Sequence, residues 1–155
     1  MTAAGPIVHA TDFSAASRPA FREALSLARR RRAPLLIVHV VSPLVQVPEA
    51  TIVSPPTYAR FVEAAEAGAR ARLRRLVDRA REAGVRASGV VLRGIPHEAI
   101  VQEARRRRAR TIVIGTHGRS GLPRLLIGSV AARILAHARC PVLTVRAPAG
   151  RRAAP

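Results

Sequence analysis

An apolar run, Thr111-Ile112-Val113-Ile114, is followed at once by Gly115, then by Gly118 after two residues, then by Gly128-Ser129 after nine more. Glycine lets a backbone come close to a ligand and turn its N–H groups toward it. A helix that starts at Gly128-Ser129 has first N–H groups without partners inside the helix, and the Ser129 hydroxyl stands beside them. That combination holds an anion, and a phosphate suits it best. Glycines at this spacing, closed by a serine, are far more restrictive than a lone glycine pair.

Asp12 is the next group with chemistry to offer. It is one of two aspartates in the chain and directly follows Ile7-Val8-His9-Ala10 and Thr11. Its carboxylate can accept hydrogen bonds from ribose hydroxyls or the exocyclic amine of a base. Equally, Asp12-Phe13-Ser14 lies where a helix N-cap belongs. Taken alone, the residue fits either role.

Catalysis finds less support. Phosphoryl transfer needs a positioned base, metal ligands and cationic stabilisation of the leaving charge, and no second carboxylate falls in or beside the glycine loop. Nucleophile elbows, HExxH motifs and cysteine-based metal spacings are absent from the sequence. His9 and His39 sit within apolar runs and read as satisfied core or rim histidines, and His97, behind Pro96, as a helix-start residue. The residues support binding rather than efficient catalysis, with a slow ATPase or self-phosphorylating enzyme as the alternative from the enzyme class.

Composition bounds the partners. At 155 residues the chain is long enough for one domain with a single core. With 48% hydrophobic but 3% aromatic residues, that core must be aliphatic. No apolar stretch approaches the roughly 20 residues that span a bilayer, and the opening Met1 to Pro6 has neither the basic nor the apolar region of a secretory signal. Cys140 is the only cysteine, so no internal disulfide forms and a reducing cytoplasm is the expected setting. It reads as a small buried hydrophobe.

The net charge is +18 and all 27 basic side chains are arginine, which excludes a Schiff-base lysine or a P-loop lysine. Such a surface attracts nucleic acid nonspecifically, so an arginine-driven polyanion binder is a further functional class. The runs Arg29 to Arg32 and Arg105 to Arg108 fall at expected helix ends, where arginine complements the helix dipole and stays solvated.

Short aliphatic runs alternate with helical periods along the chain. Strands are predicted at residues 7–10, 34–41, 85–92, 111–114 and 142–145, and their near-continuous apolar character suits a sheet covered on both faces. Phe21, Ala24, Leu25 and Ala28 mark a first helix. Residues 42–56, with four prolines, read as a long loop, after which Thr57 caps a helix with the stripe Tyr58, Phe61, Val62, Ala65, Ala69, Leu73, Leu76, Val77 and Ala80. Gly84 lies where that helix should stop, Pro96 opens the next, and a last helix runs from Ser129 to about Ala138. Strands alternating with helices imply an α/β domain with a mainly parallel sheet. It is expected to span residues 1–146, with a basic, mobile tail at 147–155.

The Gly115-x-x-Gly118-(nine)-Gly128-Ser129 spacing, Ala10-Thr11-Asp12-Phe13-Ser14, Val38-His39-Val40 and Gly94-Ile95-Pro96 together resemble the universal stress protein family, in its ATP-binding branch. The resemblance runs from about Ile7 to Arg146. It implies a single open five-stranded parallel sheet in the order 3-2-1-4-5, two helices on each face, of the adenine-nucleotide alpha-hydrolase-like kind. Strands one and four then meet at the switch point, where open α/β sheets bind ligands, and Asp12 is expected to contact ribose or adenine. The resemblance further implies that Val40 touches adenine and that Ile114 and Gly115 flank the adenosine. Gly118, Gly128, Ser129 and Val130 would surround the phosphates, with His117 and Arg119 as added contacts. The implied ligand is ATP, with Mg2+ or Mn2+ held mainly by the phosphates, and the implied role a nucleotide-dependent regulator of the stress response.

In that strand order the fifth strand is an edge, and an edge with unpaired backbone groups invites another chain. A homodimer paired through Val142, Leu143 and Val145 is therefore expected.

Overall fold

The computed structural model describes residues 5–42, 54–116 and 127–147. Its five strands are β1 (Ile7–Ala10), β2 (Leu35–Val41), β3 (Ala87–Arg93), β4 (Thr111–Gly115) and β5 (Val142–Val145). They form one sheet in the order β3-β2-β1-β4-β5, parallel throughout, as the resemblance implied. Four helices connect them: α1 (Arg18–Arg31), α2 (Pro55–Glu82), α3 (Pro96–Arg106) and α4 (Ser129–His137).

The alternation of side chains along each strand divides the core in two. Ile7 on β1, Leu35 and Ile37 on β2 and Val113 on β4 pack against Phe21 and Ala24 of α1 and Leu73 and Val77 of α2. Val8, Ala10, Leu36, Val38, Ile112 and Ile114 face the other way, against Ile100 and Ala104 of α3 and Ala131 and Ile134 of α4. All four residues of β1 are buried, which explains its lack of a polar alternation. Burial of these aliphatic side chains, at about 1.5–3 kcal/mol each, supplies the main driving force.

Three element expectations need correcting. The second helix starts at Pro55 rather than after Thr57, with Ser54 at the N-cap. Pro55 and Pro56 occupy first-turn positions, where a missing N–H breaks no helical hydrogen bond, so they open the helix instead of extending the loop.

The stripe on α2 is also shorter than its sequence period. Ala69, Leu73, Val77 and Ala80 are buried, while Phe61 is 56% exposed. A helix of 28 residues measures about 42 Å and outruns strands of at most 7 residues, about 23 Å long, so its first turns overhang the core. Where the overhang begins, the buried Glu66 carboxylate accepts hydrogen bonds from Arg70, at 2.9 Å, and from Arg93 at the end of β3.

The third strand begins at Ala87, not Val85. The Val85 N–H donates to the Ala80 carbonyl at 3.0 Å as part of the helix exit, and Gly84 takes a positive φ of +78° there. On β3 itself, Gly89 lies under α2. A Cβ at Gly89 would stand 2.7 Å from Leu73 Cγ.

The arginine runs end helices as expected. Arg29, Arg30 and Arg31 form the exposed last turn of α1, and Arg106 and Arg107 bond the buried Glu103 carboxylate at 2.7–2.9 Å. Cys140 is half-buried against the α3/α4 side of the core, and burial raises its thiol pKa. Of the expected tail, residues 148–155 lie outside the described residues.

Candidate functional site

The carboxyl ends of β1 and β4 lie side by side, with Ala10 in register with both Val38 and Ile114. Beyond them, the Thr11 N–H continues the ladder to the Val38 carbonyl at 2.9 Å, and the Thr116 N–H reaches the Val145 carbonyl at 3.0 Å. Order reverses here: β2 follows on one side of β1, β4 and β5 on the other. Such a reversal parts the connecting chain to opposite faces and leaves a crevice above the strand ends.

Asp12 is half-buried at this edge, and its Oδ1 accepts the Ser14 N–H at 2.9 Å. This contact closes a local turn and fixes the orientation of the carboxylate, but Asp12 is not a helix cap: Ser14 is the N-cap of the short 3-10 turn Ala15–Ser17 and Ser17 that of α1. Phe13, next to it, has φ of +62°, a costly conformation for an aromatic residue. Three contacts hold it there: its N–H donates to Thr11 Oγ1 at 3.0 Å, its ring lies 4.4 Å from that of His39, and Arg72 covers it.

Val40 is half-buried two positions beyond Val38 on β2 and packs on the same α3/α4 side of the sheet as Ala10 and Ile114. Ile114 is buried and Gly115 closes β4. The chain then returns at Gly128, the N-cap of α4, followed by Ser129 and the half-buried Val130. The Gly128 N–H donates to the Thr116 carbonyl at 2.6 Å, which sets the start of α4 directly beside the end of β4. Gly128 has an ordinary φ of −56°, so no left-handed backbone requires glycine there. Glycine suits the close approach here, because a Cβ would stand 3.0 Å from the Thr116 oxygen and crowd it.

Among the described residues no side chain caps α4, and its first turn holds no acid. The N–H groups of Ser129, Val130 and Ala131 have no acceptor inside the helix, since the helical bonding starts with the Ala132 N–H on the Gly128 carbonyl at 3.0 Å. Together with the positive end of the helix dipole they favour an anion. The fold thus gathers Asp12, Val40, Ile114, Gly115, Gly128, Ser129 and Val130 along one edge of the sheet. His117, Gly118 and Arg119 lie outside the described residues. Thr116 was missed in the sequence, where the glycines around it drew the attention.

The two strand histidines differ. His39 Nδ1 bonds the Thr11 carbonyl at 2.8 Å, as a rim histidine should. His9 is fully buried, and its Nδ1 bonds the Val113 carbonyl at 3.2 Å, but its Nε2 has no partner among the described residues. It is a core histidine only half satisfied, and burial lowers its pKa to about 4. Among the described residues, no group of three or more His, Cys, Asp or Glu side chains is placed to hold a metal ion, and no helix is long and apolar enough to cross a membrane.

Comparison with known proteins agrees with this fold. The model of the universal stress protein family matches residues 4–146. A universal stress protein of Methanocaldococcus jannaschii is 35% identical over 144 residues, covering 92% of this chain and 82% of that protein. A solved universal stress protein in complex with cAMP is 28% identical, with a TM-score of 0.67 over 92% of this chain and 98% of that one. A solved universal stress protein from Archaeoglobus fulgidus in complex with dAMP is 27% identical, with a TM-score of 0.63 over 92% of this chain and 98% of that one.

Proposed function

From the premise that this chain belongs to the universal stress protein family, we propose that it binds ATP at the crevice between the ends of β1 and β4 and acts as a nucleotide-dependent regulator in the cytoplasm. The observation that carries this reading is the Gly128–Thr116 hydrogen bond, which aims the uncapped start of α4 at the switch point. Relatives in complex with cAMP and dAMP support an adenine nucleotide as the ligand class. In this reading Asp12 receives ribose or adenine, Val40 and Ile114 form the aliphatic bed for the base, and Gly115 flanks the adenosine. Gly118, Gly128, Ser129 and Val130 receive the phosphates, joined by His117 and Arg119. A bound Mg2+ or Mn2+ would neutralise phosphate charge, with its ligands drawn from phosphate and water.

Isothermal titration with MgATP tests the proposal. Heat of binding is expected at tens of micromolar protein, and its absence would reject it. Asp12→Asn refines the assignment, because the amide oxygen still accepts the Ser14 N–H while the charge is lost. Weakened binding in a variant with parental melting behaviour supports a contact with the nucleotide; unchanged binding leaves Asp12 with its turn contact to Ser14 alone. Mass spectrometry of nucleotide released from the heat-denatured protein would separate ATP from AMP and cyclic nucleotides.

A further inference from the structure

On the opposite side of the sheet from Val40 and Ile114, α1 and α2 enclose a cavity of about 440 Å³. Five arginines line it: Arg18 and Arg22 from α1, and Arg72, Arg75 and Arg79 from α2. No aspartate or glutamate lines it, and none of the five makes an ion pair among the described residues. The floor is apolar, formed by Phe13, Phe21, Leu25 and Leu76, with Arg72 lying over the Phe13 ring and Arg79 over that of Phe21.

This arrangement works against the folded state. Arg18 and Arg22 stand four apart on α1, and Arg72, Arg75 and Arg79 three and four apart on α2, spacings at which like charges repel. Arg18 is moreover the first residue of α1, whose first turn has no acid, and a cation there opposes the helix dipole. Some arginines elsewhere have carboxylate partners, as Arg70 and Arg93 share Glu66 and Arg106 and Arg107 share Glu103; in the cavity five converge with no carboxylate among its lining residues. A polar group at the cavity is also left over. Ser14 Oγ is shielded from water and has no hydrogen-bond partner among the described residues.

We propose that this cavity binds a small phosphorylated molecule, with at least two phosphate charges taken by the arginines and an apolar or flat portion resting on the floor. Guanidinium groups match phosphate oxygens two at a time, and the volume lies in the range of small-molecule sites. Its concavity and apolar floor distinguish it from a surface that merely attracts a duplex. The proposal stands apart from the nucleotide reading, since it uses the other helix pair and none of the residues assigned to ATP.

The test is isothermal titration of the full chain with inorganic tripolyphosphate in 0.15 M salt, free of divalent cations. Three variants accompany the parent. Arg22→Gln with Arg75→Gln removes two facing charges, neither of which stacks on an aromatic ring. Arg29→Gln with Arg31→Gln removes the same charge from the distal end of α1. Gly128→Val impairs the proposed nucleotide crevice. Two charge-assisted contacts are lost together, so the Arg22/Arg75 pair should weaken tripolyphosphate binding at least about tenfold. The Arg29/Arg31 pair should change it less than about twofold, and Gly128→Val should leave a binding event that remains sensitive to Arg22 and Arg75. Circular dichroism melts establish that each variant is folded.

Equal losses in the two arginine pairs would overturn the proposal in favour of diffuse attraction. A loss that follows Gly128→Val alone would place the phosphates in the nucleotide crevice and overturn it as well. So would a parent chain that gives no heat with tripolyphosphate.

Discussion

The Gly128 N–H and the Thr116 carbonyl meet at 2.6 Å, joining the first residue of the α4 entry to the last turn out of β4. The two residues stand twelve positions apart in the chain, and the contact fixes where the helix dipole ends relative to the sheet. It leaves little room for a side chain at Gly128.

Gly128→Val should therefore push the start of α4 away from β4 and weaken MgATP binding by about tenfold or more, roughly 1.4 kcal/mol or above. Because φ there is −56°, no left-handed strain is added, and the fold should survive with a lowered melting temperature. Gly128→Ala should fall between the two proteins. Titration calorimetry paired with thermal melts measures both effects, and parental affinity in the valine variant would show the contact to be irrelevant to ligand binding.

Much of this frame was legible beforehand, and the failures have physical causes. Strands β1, β2, β4 and β5 announced themselves as aliphatic runs because a sheet covered on both faces leaves no polar positions to interrupt them. Strand order did not follow from the runs; it came with the family resemblance. Pro55 and Pro56 misled because proline breaks a helix interior and opens a helix start with equal ease. Phe61 misled because a period of 3.6 reports which side of a helix is apolar, not whether anything lies opposite. Glu66 was passed over as a polar position, although a carboxylate with two arginine partners can be buried at a helix–sheet junction. At the site, glycine spacing disclosed the loop. The Phe13 conformation and the Thr116 carbonyl depend on contacts across the sheet that no local pattern records.

His9 should make stability depend on pH on the acid side of neutrality. Its Nδ1 faces a carbonyl, which can only accept, so Nδ1 holds the proton of the neutral ring and Nε2 is the bare, buried nitrogen. Burial lowers the folded pKa from 6.5 to about 4, against the smaller opposing influences of the Val113 hydrogen bond and Asp12. Between those values the unfolded chain binds the extra proton, so stability is whole above pH 6.5 and declines as pH falls toward 4. A shift of that size corresponds to about 3 kcal/mol. Denaturant titrations of the parent and His9→Leu at pH 7 and pH 4.5 should show the decline in the parent alone.

Glu66 and Glu103 act in a lower window. Hydrogen bonds from Arg93 and Arg106, respectively, hold their carboxyl groups below the ordinary value of 4.5. A lowered folded pKa means a contribution present above the unfolded value and lost as pH falls through the folded one. Glu66→Gln with Glu103→Gln should therefore be less stable than the parent at neutral pH, and the gap should close below about pH 4.5. Melting temperatures measured from pH 7 to pH 3 would show it; a gap of constant size would mean the ion pairs contribute nothing.

The dimer expected from the sequence is carried forward with a sharper test. In β5, Leu143 and Val145 pack against the α1/α2 side of the domain's own core, so acidic substitutions there would test folding rather than association. The Pro141 and Val145 carbonyls bond β4, and alternation along a parallel ladder turns the N–H groups of Val142 and Thr144 outward. Thr144→Pro removes an outward donor without breaking the pairing to β4. Sedimentation in 0.15 M salt should give a dimer for the parent and a particle near 16.6 kDa for the variant. A parent that already sediments at that mass would refute the interface.

Gly89 has a reach beyond its own strand. With Leu73 so near the site of the missing side chain, the clearance between β3 and α2 is set by a single hydrogen atom. The next residues along that helix, Arg72, Arg75 and Arg79, form one wall of the arginine-lined cavity, though β3 contributes nothing to its lining. Adding even a methyl group at Gly89 would shim the helix outward and reset the gauge of a chamber it never touches.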